Sequence, residues 1–417
     1  NSQSLLGGKA MHILFLTDNF PPEGNAPASR TYEHAIRWVK KGHSVTVITC
    51  APNFPEGKVF SGYKNKIYDV SYIDGIKVVR VKTYITANEG FIKRILDYMS
   101  FMFSGFIAGL FQRKIDIVVA TSPQFFCACA GWALSFCKRK KFIFELRDIW
   151  PASITAVGAM KNSSIIKLLE KIEMFLYRRA DTIISVTNSF KSELVARGID
   201  GDKIEIVLNG VDLSRFQPTT IKDRELATRY GLHDKFVAGY VGTHGLAHGL
   251  ERIVEVAEIL KDNDHIRFVF AGGGATRNKI VELVKSKKLG NVILIDRQPK
   301  DMMPRIWSLC DVSLVPLVNN SLFKTVIPSK IFECMAMGIP TIMSLPEGEA
   351  TDIIRKTNSG ITVECENANE IARAIMKLSY DQEIYKKFRI SSINAATYYS
   401  RDSMAKKMIE VIEKYEK

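Results

Sequence analysis

The sequence has no apolar run long enough to cross a membrane without charges. A spanning helix needs about 20 predominantly apolar residues, and the longest apolar stretch, Ile95 to Phe111, carries Asp97 and two glycines. Cysteine is also scarce, with seven scattered residues, an odd number, and no C-x-x-C pair. This usage excludes a disulfide scaffold and is typical of reduced thiols in a cytosolic protein. Signals for a G-x-S-x-G elbow, a Walker A loop or a Cys–His dyad are missing as well.

The composition is that of an ordinary globular protein. The chain has 417 residues, of which 46% are hydrophobic and 24% charged, so we expect about two or three domains, each with its own core. We expect residues 1–10, which precede Met11 and carry no periodicity, to be a cloning remnant. The net charge of +14 predicts an anionic partner, which could be nucleic acid, an anionic membrane surface or a phosphorylated ligand.

Short apolar runs alternate with amphipathic segments along almost the whole chain, and the pattern restarts after Asn209-Gly210. This alternation predicts an α/β fold with parallel sheets covered on both faces. We expect two Rossmann-like domains, 11–208 and 209–399, with a ligand cleft between them and a C-terminal helix, 400–417, that packs back on the first domain. Residues 68–82 are the exception, since Asp74-Gly75 predicts a hairpin turn.

The segment 242–250, with the sequence GTHGLAHGL, follows a predicted strand and opens a helix. Glycines there allow backbone N–H groups to approach a phosphate, although an ordinary glycine-rich turn would have the same composition. His244 and His248 have the spacing of a zinc pair, but the glycines interrupt the helix and no H-E-x-x-H glutamate is present. We therefore expect no metal there.

The segment 323–333, FKTVIPSKIFE, has the features of a helix N-terminus, with a proline followed by Ser329 and a glutamate one turn later. Exposed amides within 326–329 could bind a diphosphate, and Lys324 or Lys330 would add charge. Glu333 could accept two hydrogen bonds from a vicinal diol. A capped surface helix is the alternative interpretation.

Two further segments follow predicted strands of the first domain. The sequence ELRDIWP, 145–151, places Arg147 and Asp148 at a strand end, where α/β sites form, although a structural ion pair is the alternative. The loop 18–27 contains Gly24 and Asn25, small residues that suit close approach of a ligand. The glycines of 271–274 more simply serve helix–strand packing, and the D-x-D strings at 200–202 and 262–264 are typical of polar turns.

Taken in order, these motifs resemble the family 4 retaining glycosyltransferases of the GT-B fold, from about Met11 to Lys417. Within that family they are closer still to a bacterial subgroup assigned to N-acetyl-L-fucosamine transfer in O-antigen and capsule assembly. The resemblance implies a UDP-sugar donor, ribose hydroxyls on Glu333, diphosphate over 242–249 and 326–329, and no metal or other cofactor. It assigns catalysis to Arg147, Asp148 and Lys330. It assigns donor binding to Gly24, Asn25, Gly242, Thr243, His244, Arg297, Lys324, Thr325, Val326, Ile327, Ser329 and Glu333.

The chain departs from the family pattern where charge is needed. Thr325 stands where the family's E-x7-E motif has its first glutamate. Gly242 and His248 stand where the family usually has basic residues near the phosphate loop. Arg147-Asp148 stands where the family often has a His-Asp pair. Lys330, Lys324, Arg147 and His244 are the candidates to neutralise the diphosphate instead.

Residues 91–114 are packed with Phe, Met, Ile and Leu and flanked by cations. They predict either a large core helix or a monotopic contact with an anionic inner-membrane surface. A polyprenyl-diphosphate-linked acceptor would explain the second interpretation and would place the enzyme on the cytoplasmic face of the membrane. A GT-B-fold epimerase or hydrolase and a non-enzymatic nucleic-acid-binding protein are the alternatives, but no nucleic-acid-binding module is visible.

Overall fold

A computed structural model describes residues 8–54, 56–86, 91–122, 124–152 and 163–416. They divide into two compact units, one ending at Asn209 and resuming at Arg401, the other running from Gly210 to Ser400. The expected α/β fold with two Rossmann-like units is confirmed.

The first unit is built on an eight-stranded sheet with the order β3-β4-β2-β1-β5-β6-β7-β8. Its strands are β1 (His12–Leu16), β2 (Ser44–Cys50), β3 (Tyr68–Ile73), β4 (Ile76–Val81), β5 (Ile117–Thr121), β6 (Lys141–Leu146), β7 (Thr182–Ser185) and β8 (Ile204–Ile206). Its helices are α1 (Ala26–Lys40), α2 (Phe91–Leu110), α3 (Phe126–Lys138), α4 (Ser163–Arg179) and α5 (Asn188–Ala196). Only the β3–β4 pair is antiparallel among these strands, and the predicted hairpin is confirmed. Asp74 and Gly75 at its turn both have positive φ, as a two-residue type I′ turn requires.

The second unit has a six-stranded parallel sheet with the order β11-β10-β9-β12-β13-β14. Its strands are β9 (Phe236–Val241), β10 (Ile266–Ala271), β11 (Val292–Ile295), β12 (Val312–Pro316), β13 (Thr341–Ser344) and β14 (Gly360–Val363). Its helices are α6 (Arg224–Tyr230), α7 (Leu250–Ile259), α8 (Arg277–Ser286), α9 (Met303–Ser308), α10 (Lys330–Met337), α11 (Glu349–Thr357), α12 (Ala368–Tyr380) and α13 (Gln382–Tyr398). Apolar strands such as FVAGYV in β9 are buried along their whole length, because helices cover both faces of the sheet.

The last helix, α14 (Arg401–Glu413), returns to the first unit. Met408 and Ile412 on α14 pack in the same cluster as Trp38 of α1, and the Trp38 indole N–H donates to the Ala405 carbonyl at 3.2 Å. A C-terminal helix packed on the first unit was expected from the sequence and is confirmed.

The order of strands fixes where ligands can approach each sheet. In the first sheet β1 lies between β2 and β5, and in the second β9 lies between β10 and β12. In each sheet, later strands of the chain thus lie on both sides of the first strand, β1 or β9, so the strand order reverses there. Ligands of α/β proteins bind outside the carboxyl ends of the strands at such points.

Candidate active site

The loop after β9 in the second unit has the backbone that a close approach requires. Gly242 has φ +150° and Gly249 φ +53°, conformations that side chains rarely adopt. A short 3-10 turn, Leu246–His248, leads into α7. A Cβ atom added at Gly242 would lie 3.0 Å from the Lys330 Nζ atom, so the loop and the first residue of α10 are direct neighbours, although 88 positions separate them in the sequence.

The second glycine-rich loop, 271–274, packs against the first. A Cβ atom at Gly272 would lie 1.9 Å from the Gly242 carbonyl oxygen, and one at Gly274 would lie 2.7 Å from that of His244. The His244 amide donates to the Gly273 carbonyl at 2.9 Å. Glycine is therefore required here for close packing, although the packing is of one loop against the other and not of a helix against a strand as the sequence analysis expected.

A cavity of about 400 Å³ opens between these two loops and the segment after β11. Three predicted donor-binding residues, Gly242, Thr243 and Arg297, line it. The remaining lining residues are Val241, Ala271, Gly272, Gly273, Gly274, Gln298, Met303 and Ile306. A glycine-rich floor, an apolar wall and one guanidinium form a suitable surface for a planar, anionic ligand, because ligand pockets combine mostly apolar walls with a few polar groups.

Lys330 supplies a positive charge under the first loop. Its Nζ atom lies 4.2 Å from the centre of the Tyr240 ring, a cation–π distance. Burial lowers the pKa of the Lys330 ammonium to about 8, because leaving water disfavours the charged form. The Tyr240 hydroxyl donates to the Thr243 carbonyl, so the same tyrosine contacts both the cation and the loop. Sequence reasoning missed Tyr240, which is one aromatic among several in a buried strand.

The His244 side chain does not supply charge. Its ring is fully buried, and burial together with the Arg277 guanidinium lowers its pKa to about 4. Its Nε2 atom lies 3.3 Å from Arg277 Nη1, and its ring packs edge-on against Tyr240. In the protein without a ligand the imidazole is therefore neutral at neutral pH, and neutralisation of a diphosphate by His244 stays a prediction.

Glu333 lies in the first turn of α10, where a carboxylate is favourable. Its Oε2 atom accepts a hydrogen bond from the buried Trp307 indole at 3.0 Å. Trp307 thus orients the residue predicted to bind the ribose, a role that no sequence signal indicated.

The segment before α10 is largely exposed. Lys324 and Thr325 end a 3-10 turn, Ser321–Thr325, and Thr325 Oγ1 donates to the Leu322 carbonyl at 3.3 Å. The Val326 amide donates to the Phe323 carbonyl at 3.4 Å. The Val326 amide is therefore already hydrogen-bonded, and Pro328 has no N–H group. The predicted diphosphate contact would use the amides of Ile327 and Ser329.

In the first unit, β6 ends at a charged cluster. The Glu145 carboxylate lies 3.5 Å from Arg30 and accepts from Thr121 Oγ1 at 2.8 Å. The Arg147 amide donates to Ser122 Oγ at 2.7 Å. Within the described residues, the Arg147 Nη1 atom is buried without a hydrogen-bond partner, and burial lowers the pKa of Arg147 to about 10. Leaving a buried donor unpaired is costly, and the role of Arg147 in catalysis stays a prediction.

The buried Glu23 carboxylate holds the loop after β1 in place by hydrogen bonds. Its carboxylate accepts from the Phe54 amide at 2.8 Å and the Asn53 amide at 3.2 Å. Asn25 caps α1 by accepting from the Ala28 amide at 3.4 Å, and a Cβ atom at Gly24 would meet nothing within 4 Å. Gly24 therefore borders open space, and the contact of Gly24 and Asn25 with a ligand stays a prediction.

Helix α2 has two apolar faces. Phe101 and Ala108 are buried in the core of the first unit. The outer face carries an exposed stripe at helical spacing, which continues one residue past the helix: Ile92, Leu96, Phe103, Ile107, Leu110 and Phe111. The core interpretation of residues 91–114 therefore holds for the inner face of the helix, and the contact of the outer face with a membrane stays a prediction. In the described part of the chain, no helix combines the length and apolar character needed to cross a membrane.

Among the described residues, no group of three or more His, Cys, Asp or Glu side chains is arranged to hold a metal ion. The predicted absence of a metal stays a prediction, because ligand geometry alone does not decide it. The fold and the sites together define a two-unit α/β protein with a phosphate-type loop and an adjacent ligand cavity in its second unit.

Comparisons with known proteins identify the class. Residues 223–394 match the family model "Glycosyl transferases group 1", and residues 28–215 match "Glycosyltransferase Family 4". The chain belongs to the glycosyltransferases, with a family 4 segment followed by a group 1 segment. It is 25% identical over 362 residues, 85% of this chain and 88% of the relative, to WcaI of Escherichia coli (strain K12), named for colanic acid biosynthesis.

Solved structures share the fold across both units. Sucrose-phosphate synthase from Thermosynechococcus elongatus superposes with a TM-score of 0.72 at 15% identity, covering 97% of this chain and 98% of that one. HepE of Anabaena, solved with UDP and glucose, gives a TM-score of 0.68 at 15% identity, covering 96% and 99%. At these identities the likeness establishes the GT-B architecture.

Proposed function

We propose that the protein transfers a sugar from a UDP-sugar to a lipid-linked saccharide during assembly of a bacterial surface polysaccharide. N-acetyl-L-fucosamine or a related N-acetylated hexose is the donor sugar, and a polyprenyl-diphosphate-linked saccharide is the acceptor. The name of WcaI supports the polysaccharide role, and the UDP and glucose bound by HepE support a UDP-sugar donor.

One observation carries the donor assignment: the Lys330 ammonium lies next to Gly242, and Gly242 lines the same cavity as Arg297. The uracil occupies that cavity, the ribose hydroxyls bind Glu333, and the diphosphate lies over the 242–249 loop and the start of α10. Backbone amides at a helix N-terminus and a preformed cation are a general solution for binding phosphate.

The chemistry needs charge on the leaving group. As the bond between the sugar C1 atom and the β-phosphate oxygen breaks, negative charge develops on that oxygen, and Lys330 stabilises it. The acceptor hydroxyl oxygen forms the new bond to C1 and passes its proton to the same phosphate oxygen, so UDP leaves protonated. No separate nucleophile is needed, and we expect turnover to survive chelation by EDTA. Arg147 and Asp148 of the first unit serve the same transfer.

The exposed stripe on α2 fits a lipid-linked acceptor. Six large apolar side chains face outward, and Lys93, Arg94, Arg113 and Lys114 flank them. Apolar side chains insert into the interfacial region, while each cation adds about 1 kcal/mol near anionic lipid. The enzyme then works as a peripheral protein on the cytoplasmic face of the inner membrane.

The proposal is tested by a donor screen. Purified protein is incubated with a panel of UDP-sugars and a polyprenyl-diphosphate-linked saccharide, with and without EDTA, and both UDP release and the glycosylated lipid are measured. We expect acceptor-dependent UDP release that EDTA does not abolish. UDP release without an acceptor, or with an altered free sugar, would instead identify a hydrolase or epimerase.

A further inference from the structure

The sheet of the first unit has an open edge at β3, which is hydrogen-bonded to β4 on one side and, among the described strands, to none on the other. Such an edge is a template for pairing with another chain, and proteins usually protect it with lysine, proline or a bulge. The sequence of β3, YDVSYI, contains no lysine or proline, and its pairing with β4 is continuous, without a bulge. The Oδ1 atom of Asp69, its one charged residue, lies 3.7 Å from Lys66 Nζ in an ion pair. The strand itself therefore carries little of the usual protection against pairing.

Exposed apolar side chains line this edge on one face of the sheet. Tyr68 is 45% exposed, Val70 39% and Tyr72 72%. Val70 lies opposite Val79 of β4, which packs in the same cluster as Phe101 of α2. Because opposed residues of an antiparallel pair point to the same face of the sheet, all three side chains lie on the face that α2 covers.

The backbone groups that point away from β4 belong to the same three residues. Ile73 and Ile76 face each other across the two-residue turn, and the pair that closes such a turn exchanges two hydrogen bonds. Hydrogen-bonded pairs alternate along an antiparallel ladder, so the odd-numbered residues of β3 bond to β4. The N–H and C=O groups of Tyr68, Val70 and Tyr72 therefore point to the open edge.

The sequence of this edge is complementary to itself about Val70. In a symmetric antiparallel pair of two β3 strands, Val70 lies opposite Val70 of the second copy, and each Tyr68 lies opposite a Tyr72. The outward N–H and C=O groups of all three residues then pair with one another. Aromatic and β-branched pairs directly opposite each other stabilise a sheet, and a two-fold interface requires a surface that is complementary to itself.

The residues beside β3 continue the same complementarity. The register that centres on Val70 sets Ile67 opposite Ile73 of the second copy, and Lys66 opposite Asp74. Ile67 is 79% exposed, and Lys66 and Asp74 are exposed as well. Each end of the pair thus combines an apolar contact with two opposite charges, both of which stabilise cross-strand pairs.

We propose that two copies of this chain pair through β3 about a two-fold axis at Val70 and form a dimer with one continuous sheet. The dimer does not rest on the proposed sugar transfer. Because one short strand supplies the contact, its area falls at the low end for specific interfaces, below about 1,200 Å². We therefore expect a dimer that dissociates on dilution, with a dissociation constant on the order of micromolar.

The two-fold axis is perpendicular to the sheet, because opposed residues point to the same face. The α2 helices of both copies therefore lie on one face of the continuous sheet. Two apolar stripes on one face bind a membrane more tightly than one, because the second contact is intramolecular. This consequence, unlike the dimer itself, rests on the proposed function.

Sedimentation velocity over a wide range of protein concentration tests the dimer without any substrate. Val70→Lys sets two ammonium groups opposite each other, and Val70→Pro removes an outward N–H group, which an edge strand tolerates. Each should weaken the dimer about ten-fold or more while the melting temperature of the dilute protein stays near that of wild type. Val195→Lys, at an exposed valine of α5, is the matched control and should dimerise as wild type does.

Disulfide cross-linking tests the register in a Cys137→Ser background, which removes the exposed cysteine. Opposed residues of a hydrogen-bonded pair have Cα atoms about 5.5 Å apart, within the range of a disulfide, so Val70→Cys should form a covalent dimer on oxidation. Tyr72→Cys alone should not, because its two copies lie about 14 Å apart in this register. A mixture of Tyr68→Cys and Tyr72→Cys should form the mixed dimer.

A wild-type protein that stays monomeric at every concentration overturns the proposal, and so does a dimer that both Val70 variants leave unchanged. Cross-linking of Tyr72→Cys alone as efficiently as Val70→Cys overturns the register. Should Val70→Pro fail to fold, Val70→Lys and the cross-linking decide. Val70→Pro should also reduce cosedimentation with anionic vesicles at concentrations at which wild type is dimeric, and unchanged cosedimentation would refute the membrane consequence alone. Sugar transfer is measured separately, since Val70 does not line the cavity beside the phosphate-type loop.

Discussion

The Lys330 ammonium lies 4.2 Å from the centre of the Tyr240 ring, in contact with the glycine loop of the second unit. The ring belongs to β9 and the ammonium to α10, so the contact holds the positive charge at a fixed place before any ligand arrives. A preorganised charge stabilises a developing anion without reorganisation during the reaction. Lys330 is thus a candidate to replace the basic residues that the family has near this loop, and the predictions below test that role.

Removal of this charge should slow the chemical step. We expect Lys330→Ala to lower kcat by about 10²–10³-fold, the usual loss when an aimed donor to developing charge is removed. Lys330→Arg keeps the charge and should retain more activity. Steady-state kinetics and circular dichroism would check both. A normal kcat in Lys330→Ala, with the fold intact, would mean that the charge comes from Lys324 or Arg147.

The affinity for UDP should depend on pH through the same group. Because the pKa of free Lys330 is lowered to about 8, the ammonium is charged below pH 8 and loses its proton above it. UDP binding should therefore weaken as the pH rises through 8, and binding near pH 8 should take up a proton. Calorimetry in buffers of different ionisation enthalpy measures that uptake. Lys330→Arg should show neither effect, since guanidinium stays charged.

Glu333 should contribute to UDP affinity through the ribose. We expect Glu333→Ala to weaken binding by about 1.5–3 kcal/mol per lost charged hydrogen bond. Trp307→Phe removes the donor that orients Glu333 and should cause a smaller loss. The exposed Glu282→Ala on α8 serves as the control. Unchanged UDP affinity in Glu333→Ala, measured by calorimetry, would refute the ribose contact.

The sequence predicted the α/β fold and the second glycine loop well, for a physical reason. Buried parallel strands are continuous apolar runs, and a glycine cluster after a strand indicates close packing or a ligand. Both signals are local. The contact between Gly242 and Lys330, and the hydrogen bond from Trp307 to Glu333, join residues 88 and 26 positions apart. No local pattern indicates them.

The burial of the His244 side chain was also not evident from the sequence. A histidine beside glycines in a phosphate-type loop looks exposed in the sequence, yet its ring is fully buried between Tyr240 and Arg277. The direction of a side chain in an irregular loop is set by tertiary packing.

The raised pKa of Asp18 predicts a pH-dependent stability. Burial and the Asp97 carboxylate raise its pKa from 3.8 to about 8 in the folded state, so the folded protein binds more protons than the unfolded chain between these values. The associated stability is present below pH 4 and decreases as the pH rises toward 8. Asp18→Asn removes this decrease, so it should raise the melting temperature at pH 8 more than at pH 5. An equal change at both pH values would show that Asp18 ionises normally.

The exposed stripe of α2 should bind membranes, and three phenylalanines on this helix separate binding from stability. Phe103 is 58% exposed, Phe106 is partly buried against the core, and Phe101 is 0% exposed. We expect Phe103→Ser to change the free energy of unfolding by less than about 0.5 kcal/mol and to reduce cosedimentation with anionic vesicles. Phe101→Ser should cost several kcal/mol, as for other buried phenylalanines, and Phe106→Ser should fall between the two.

The cations next to α2 should affect binding to anionic vesicles but not the rate of sugar transfer. Arg113→Glu combined with Lys114→Glu reverses two exposed cations just beyond α2, so binding to anionic vesicles should weaken, and salt should weaken wild-type binding in the same direction. Turnover on a short, water-soluble acceptor should stay normal, because neither residue lines the cavity beside the phosphate-type loop. If wild-type protein does not bind anionic vesicles at low salt, the exposed stripe contacts something other than lipid.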